Sequence, residues 1–179
     1  MDERERRRLR TLADYQFGRG AGRALFGGDG DGSVTVRRTS TGRPQQVLAD
    51  GVRLVSYGTD GRFTLGAAGG RRLHAALDPP AYRVVVGDES EPYVRDGANA
   101  FAKFVRDVDP AVRPGDEVLV VHERGDLLGV GRAELPAGAM RDFGTGMAVK
   151  TREGVGAPAD EGGGDGDADV DPDPDADSA

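Results

Sequence analysis

Asp88, Glu89 and Glu91 place three carboxylates within four residues, around Ser90 and just ahead of Pro92. Such a cluster can do acid–base chemistry when a pocket holds one of its members protonated. The same residues also suit the first turn of a short helix over Ser90 to Arg95, where negative charge complements exposed N–H groups and the helix dipole. The helix reading is the simpler one. His74 and His122 are the only histidines. One falls in a helical pattern and one in a strand pattern, with no second ligand at metal spacing, so both are expected to be ordinary core or surface side chains. Cysteine is absent, which excludes disulfides and cysteine-based zinc sites. No catalytic residue, metal or cofactor is therefore expected. A different kind of chemistry is offered by Gly97, Ala98, Asn99 and Ala100, whose small side chains let backbone approach a ligand closely, with Asn99 able to take a left-handed conformation. The alternative is a plain tight turn with Gly97 ending the helix. Phe101 to Asp107 reads as a strand on which Phe101 and Lys103 share one face, while Phe104 turns to the core.

These residues need a scaffold, and the chain supplies two units and a tail. The 24 basic residues are 22 arginines plus Lys103 and Lys150. Of the 31 acidic residues, ten lie from Glu153 onward, where no basic residue occurs, so the first 152 residues carry 24 basic against 21 acidic and a balance of about +3. The segment 153–179 is rich in Gly, Asp, Pro and Ala and is expected to be disordered, because it cannot bury enough apolar area to offset its chain entropy. Residues 4–26 read as helix, with Leu9, Leu12, Ala13 and Phe17 as the apolar stripe and Gly18, Gly20 and Gly22 dividing off a second short turn. Arg6, Arg7, Arg8 and Arg10 make a solvated face partly neutralised by Asp2, Glu3 and Glu5. VTVRR, QQVLA, VRLVSY and RFTL follow as consecutive hairpin strands, and Ala67 to Leu77 returns to helix until Pro79 and Pro80 stop it. No run approaches the roughly 18 apolar residues of a membrane helix. The charged N-terminus has no apolar segment behind it, so a cytoplasmic protein is expected.

The stretch YRVVVGDESEPYVRDGANAFAKFVRDVDPAVRPGDEVLVVHE, with LLGVGRAEL and GTGMAVKTR after it, resembles the PUA domain, an RNA-binding pseudo-barrel, and looks closest to the version at the C-terminus of archaeal tRNA-guanine transglycosylases. The order LADYQFGRGAGRALF, RRTSTGRPQQVLADG and DGRFTLGAAGGRRLHAAL is similar to the small α/β domain that precedes PUA in archaeosine transglycosylases and archaeosine synthase. Pro44 and Gln45 stand where that family has a β-branched residue and an arginine after Thr41-Gly42-Arg43, so one positive charge is missing. The resemblance implies an α+β fold: a small α/β domain over 1–79, a PUA domain over 80–152 and an acidic tail over 153–179. Transglycosylase chemistry needs an aspartate nucleophile in a barrel of about 250 residues and a zinc site built mainly of cysteines, and this chain fits neither. The implied function is non-catalytic RNA binding, of the tRNA acceptor 3′ end, in connection with tRNA modification. The resemblance marks Gly97, Ala98, Asn99 and Ala100 as the loop that approaches RNA; Arg95, Phe101 and Lys103 adjoin it as candidate contacts, and Arg132, Lys150 and Arg152 are candidates to line the RNA face, with ordinary solvated strand residues as the equal alternative. Phe101 would stack on a base. Gly129, Gly131, Gly144 and Gly146 match family glycines with fold roles. Two rivals stand beside this reading: an adapter that docks on a separate tRNA-modifying enzyme, and a small enzyme using Asp88 or Glu91 in a pocket. The arginine- and aspartate-rich composition further suggests a haloarchaeal source.

Overall fold

The computed structural model describes residues 1–28 and 32–158; most of the acidic segment lies outside the described residues. The chain begins with α1 (Glu3–Phe17), started by the Asp2 carboxylate accepting from Glu5 N at 2.7 Å. Its buried residues are Arg6, Leu9, Ala13 and Phe17, whereas Leu12 is 43% exposed. The expected stripe was thus too wide: at 100° per residue Leu12 lies well off the centre of the buried line. After α2 (Ala21–Phe26), strands β1 (Val34–Arg38), β2 (Pro44–Ala49), β3 (Val52–Tyr57) and β4 (Phe63–Leu65) form an antiparallel sheet in sequence order. Helix α3 (Ala67–Ala76) packs over β3.

The second half holds β5 (Arg83–Val86), α4 (Glu91–Arg95), β6 (Ala100–Phe101), a 3₁₀ turn at Ala102–Phe104, β7 (Val105–Val108), β8 (Glu117–His122), β9 (Leu127–Ala133), α5 (Ala137–Asp142) and β10 (Met147–Gly154). Its sheet runs β6-β10-β9-β8-β5-β7, with β5 and β8 parallel and the other neighbours antiparallel. The single strand expected over Phe101 to Asp107 is therefore two short strands broken by a turn. Ala102 N bonds Gly146 O at 2.9 Å there, so pairing with β10 sets the break. Asp88 and Glu89 precede α4, and of the three carboxylates only Glu91 occupies its first turn. β10 continues two residues past the expected start of the tail, pairing Glu153 with Val130 and Gly154 with Gly129.

Strand β8 explains why the two halves cohere. All six of its residues are buried. Leu119 and Val121 join Leu9, Phe17, Phe26, Leu54 and Phe63 in the core under the first sheet, while Val118 and Val120 face the core with Val84, Val94 and Leu128. A strand covered on both faces reads as an unbroken apolar run, as VLVV does. On β9, Leu127 and Val130 both join the first core and Leu128 the second, which the irregular register opposite Val120 and Val121 permits.

The free edge of β4 needs partners for its polar groups. Gln16 supplies two, donating to Phe63 O at 2.9 Å and accepting from Phe63 N at 2.8 Å. Glu117, 5% exposed at the start of β8, accepts from Leu65 N at 2.9 Å and from both terminal nitrogens of Arg152 on β10, Nη2 at 2.8 Å. One buried carboxylate thereby joins β4, β8 and β10.

Glu117→Ala strands the Leu65 amide and releases Arg152, and a loss of about 2 to 3 kcal/mol is expected, just under the roughly 3 to 5 kcal/mol of a broken buried pair because Arg152 retains solvent access. Urea titration checks this; a change below 0.5 kcal/mol would contradict the assignment. Truncating after Arg152 should also lower Tm, since it removes the last rungs of β10, the Arg53–Glu153 pair at 2.6 Å and the Val155 N bond to Leu128 O at 2.9 Å.

Candidate nucleic-acid interface

Helix α4 ends in a Schellman motif: Ala98 N bonds Tyr93 O at 2.9 Å and Gly97 N bonds Val94 O at 2.9 Å, with Gly97 at φ +95°. The glycine turn is thus a helix C-cap, and the two backbone donors expected to reach a ligand are already engaged. What the turn offers instead is proximity without bulk. Asn99 does not take a positive φ; its Oδ1 accepts from Thr151 N at 3.0 Å and ties the turn to β10. Ala100 is buried in the second core. Arg95 is held by Glu91 at 3.1 Å and reaches Gly156 O at 3.3 Å.

Two aromatic side chains stand out beside this turn. Phe101, at the end of β6, is 44% exposed, as stacking requires. Tyr93 is 65% exposed and was not anticipated. It lines a mainly apolar hollow of about 470 Å³ with Pro92, Asp96, Ala98 and Pro158. The signal lay in the sequence: Val94 takes the buried position of a five-residue helix, leaving the adjacent Tyr93 outside. Phe104 is only partly buried, outside both core clusters, with the Lys103 ammonium 4.8 Å from its ring centre. This corrects the expected core placement of Phe104. The 3₁₀ turn abolishes the strand alternation on which it rested.

Arg132 and Lys150 are cross-strand partners on β9 and β10, and both are exposed, two residues from Arg152. Gly131 lets these strands close up, since a Cβ there would lie 2.3 Å from Lys150 O. Arg132 pairs with Glu134 at 2.9 Å, and Arg152 is committed to Glu117. No hydrogen bond or ion pair among the described residues engages the Lys150 ammonium.

His122 is not alone. Its Nε2 lies 2.6 Å from Asp88 Oδ1 and 3.6 Å from Glu91 Oε2, and Arg124 N donates to Nδ1 at 3.1 Å. The proton thus sits on Nε2, pointing at Asp88. Asp88, Glu91 and His122 have the donor types of a metal site, with ligand atoms within 4.8 Å of one another. Arg124, however, grips both oxygens of Glu91, one at 2.9 Å, and Arg95 binds the same carboxylate. The Arg124 hydrogen bond, together with that from Arg95, holds the Glu91 carboxyl down to about 2 against an opposing effect of burial. A carboxylate kept ionised this firmly has no proton to give, and the Asp88 side chain is 88% exposed, so neither supports the enzyme reading.

A carboxyl with a lowered folded pKa contributes stability above its ordinary value of 4.5, and that contribution disappears as pH falls toward 2. Glu91→Gln should therefore lower stability near pH 6 and flatten its acid dependence between about pH 4.5 and 2, as chemical denaturation across that range would register.

The patch-forming domain C2 of tRNA-guanine transglycosylase matches residues 7–80, and the PUA domain matches residues 82–155. The tRNA-guanine(15) transglycosylase of Pyrococcus furiosus is 47% identical over 148 residues, which are 82% of this chain and 24% of that protein. That of Methanothermobacter thermautotrophicus is 46% identical over 149 residues, 82% of this chain and 22% of the relative. The chain thus spans about a quarter of the length of these curated relatives. Among solved structures, a conserved PUA domain protein from Thermoplasma acidophilum superimposes with a TM-score of 0.62 at 22% identity, covering 90% of this chain and 93% of that one. A hypothetical protein from Pyrococcus horikoshii gives 0.62 at 21% identity, covering 86% and 92%. At such identities the likeness is one of fold. The chain is accordingly a patch-forming C2 domain followed by a PUA domain, the pair that it shares with the C-terminal region of archaeal tRNA-guanine transglycosylases.

Proposed function

We propose that this protein binds RNA through its PUA half, that the RNA is tRNA engaged at its acceptor 3′ end, and that binding serves tRNA modification. The observation that carries this reading is the joint match of both domains to a tRNA-modifying enzyme over residues 7–155. The surface chemistry supports it. Phe101 and Tyr93 offer exposed rings beside a turn of small residues, and a single-stranded end can splay its bases onto such rings, whereas a helix cannot. Gly97 and Ala98 act as the low rim that lets a nucleotide reach them, and Lys103, Arg132, Lys150 and Arg152 supply positive charge. Arg95, Asn99 and Ala100 act indirectly, by holding the turn in place.

A second reading, an adapter that docks on a separate tRNA-modifying enzyme, draws on Leu12 and Tyr15, which stand 43% and 93% exposed on the outer side of α1. An adapter of this kind needs both a protein-binding and an RNA-binding surface, so isolated protein that binds no RNA would favour docking alone.

The purified protein is expected to bind tRNA with an intact 3′ end more tightly than tRNA trimmed to the helix. Phe101→Ala and Tyr93→Ala should each weaken the intact form by about 1 to 3 kcal/mol where the ring stacks. Fluorescence titration at high salt, where phosphate contacts are suppressed, isolates this component. Equal affinity for both tRNAs would refute the acceptor-end assignment. Gly97 is a poorer probe, because any side chain at φ +95° strains the helix cap as well.

A further inference from the structure

Where the two domains meet, the surface opens into a cavity of about 220 Å³ lined by residues of both, among them Gly58, Thr64, Arg62, Glu117, Arg132 and Arg152. A second groove, of about 350 Å³, is lined by Arg132, Lys150, Thr151 and Arg152. Arg132 and Arg152 border both hollows, so the two lie side by side as a track with four cationic side chains along it. From this we infer that the track is a binding site for the phosphodiester backbone of RNA, in which Arg62 of the C2 domain acts together with Arg132 and Lys150 of the PUA domain. The inference rests on the RNA-binding reading above and deepens it: the RNA is held across the domain junction, by its backbone, away from the rings that meet its bases.

The state of each cation supports the assignment. Arg62 lies 46% exposed and reaches Asp116 only at 3.4 Å; Arg132 is 49% exposed and paired with Glu134, just past the end of its strand. Pairs whose arginine is this exposed contribute little, so either guanidinium can turn to a phosphate at small cost. Bidentate hydrogen bonding then favours the arginine fork on phosphate oxygens. Lys150 needs no displacement. Arg152 differs, because its guanidinium already completes the buried Glu117. It forms the floor of the track and fixes the spacing of the other three. Asp60, the remaining carboxylate in the cavity, is turned back on its own loop, accepting from Arg62 N at 3.0 Å. Most of the lining side chains are charged or hydrogen-bonding, so the track suits an extended anionic chain better than an apolar peptide anchor.

The test is a salt titration of tRNA binding by the full chain and by Arg62→Ala, Arg62→Lys and Arg132→Ala, with Tm measured for each. Loss of one phosphate contact should reduce the steepness of log Kobs against log salt by about 0.7 to 0.9 for each alanine variant. Binding should then be roughly five- to eightfold weaker at 0.1 M salt, if the curves meet near 1 M. Arg62→Lys should restore most of the slope, and Tm should hardly change. Alanine variants that keep the wild-type slope, while Phe101→Ala or Tyr93→Ala still weakens binding, would overturn the track and leave the RNA-binding function standing. Wild-type protein that binds no tRNA would overturn both. Polyglutamate serves as the second probe: weakened polyglutamate binding in Arg62→Ala with unchanged tRNA binding would assign the groove to an acidic protein and also refute the proposal.

Discussion

The buried carboxylate of Glu117 is the constraint on which most of this architecture depends. A carboxylate 5% exposed is costly unless its lone pairs are filled, and here they are filled from two directions, by the Leu65 amide of the C2 domain and by the Arg152 guanidinium of the PUA domain. The PUA domain supplies two of these bonds and the C2 domain the third. The same strand that begins with Glu117 sends Leu119 and Val121 into the first core and Val118 and Val120 into the second, so polar and apolar forces lock the same two surfaces together. Arg152 is drawn inward by this clamp, and Arg132, the cross-strand partner of both Glu117 and Lys150, stands exposed next to it. The positive face is thus a by-product of how the interior is neutralised.

The turn after α4 shows how a loop can serve both fold and recognition. Gly97 and Ala98 spend their N–H groups on closing the helix, so neither of these amides is open to a phosphate. Recognition at this edge then rests mainly on the rings of Tyr93 and Phe101 and on the absence of obstructing side chains. Only Lys103 and the Glu91-paired Arg95 bring positive charge to this edge; Arg132, Lys150 and Arg152 sit on β9 and β10. Such separation of a stacking edge from a cationic track divides base contact from backbone contact, two tasks that respond differently to salt.

Much of the fold was legible because its signals are local. The four strands of the first sheet, α3 before the two prolines, and the short helix at Glu91 all follow from periodicity and punctuation within a few residues. Leu12 was misplaced because one side chain at the margin of a helical stripe is decided by the width of the groove it meets. The 3₁₀ turn at Ala102–Phe104 was not legible because FAKFVRD carries no glycine or proline to mark a break, and the break is set by pairing with Gly146, far along the chain. The partnership of His122 with Asp88 spans 34 residues and depends on the loop after β5 folding back over the end of β8. Among the candidate site residues, chemistry was readable from type but availability was not. Arg95, Arg132 and Arg152 look alike in the sequence; the structure commits Arg152 to a buried acid, Arg95 to a largely buried one and Arg132 only to a more accessible neighbour, Glu134.

The shared core also bears on how tightly an extended ligand can be held. Two domains joined by a flexible linker would each bind separately, and bridging them would cost the freedom lost when their relative motion stops. Here Leu119, Val121, Leu127 and Val130 of the PUA half are already part of the C2 core, and Arg53 reaches across to Glu153 at 2.6 Å. That cost is met during folding. A ligand that touches Arg62 on one side and Lys150 on the other meets cations whose spacing is already set, so each contact adds to affinity without a further ordering penalty on the backbone. The arrangement favours partners of fixed shape, because a pre-set track discriminates by geometry before it discriminates by sequence.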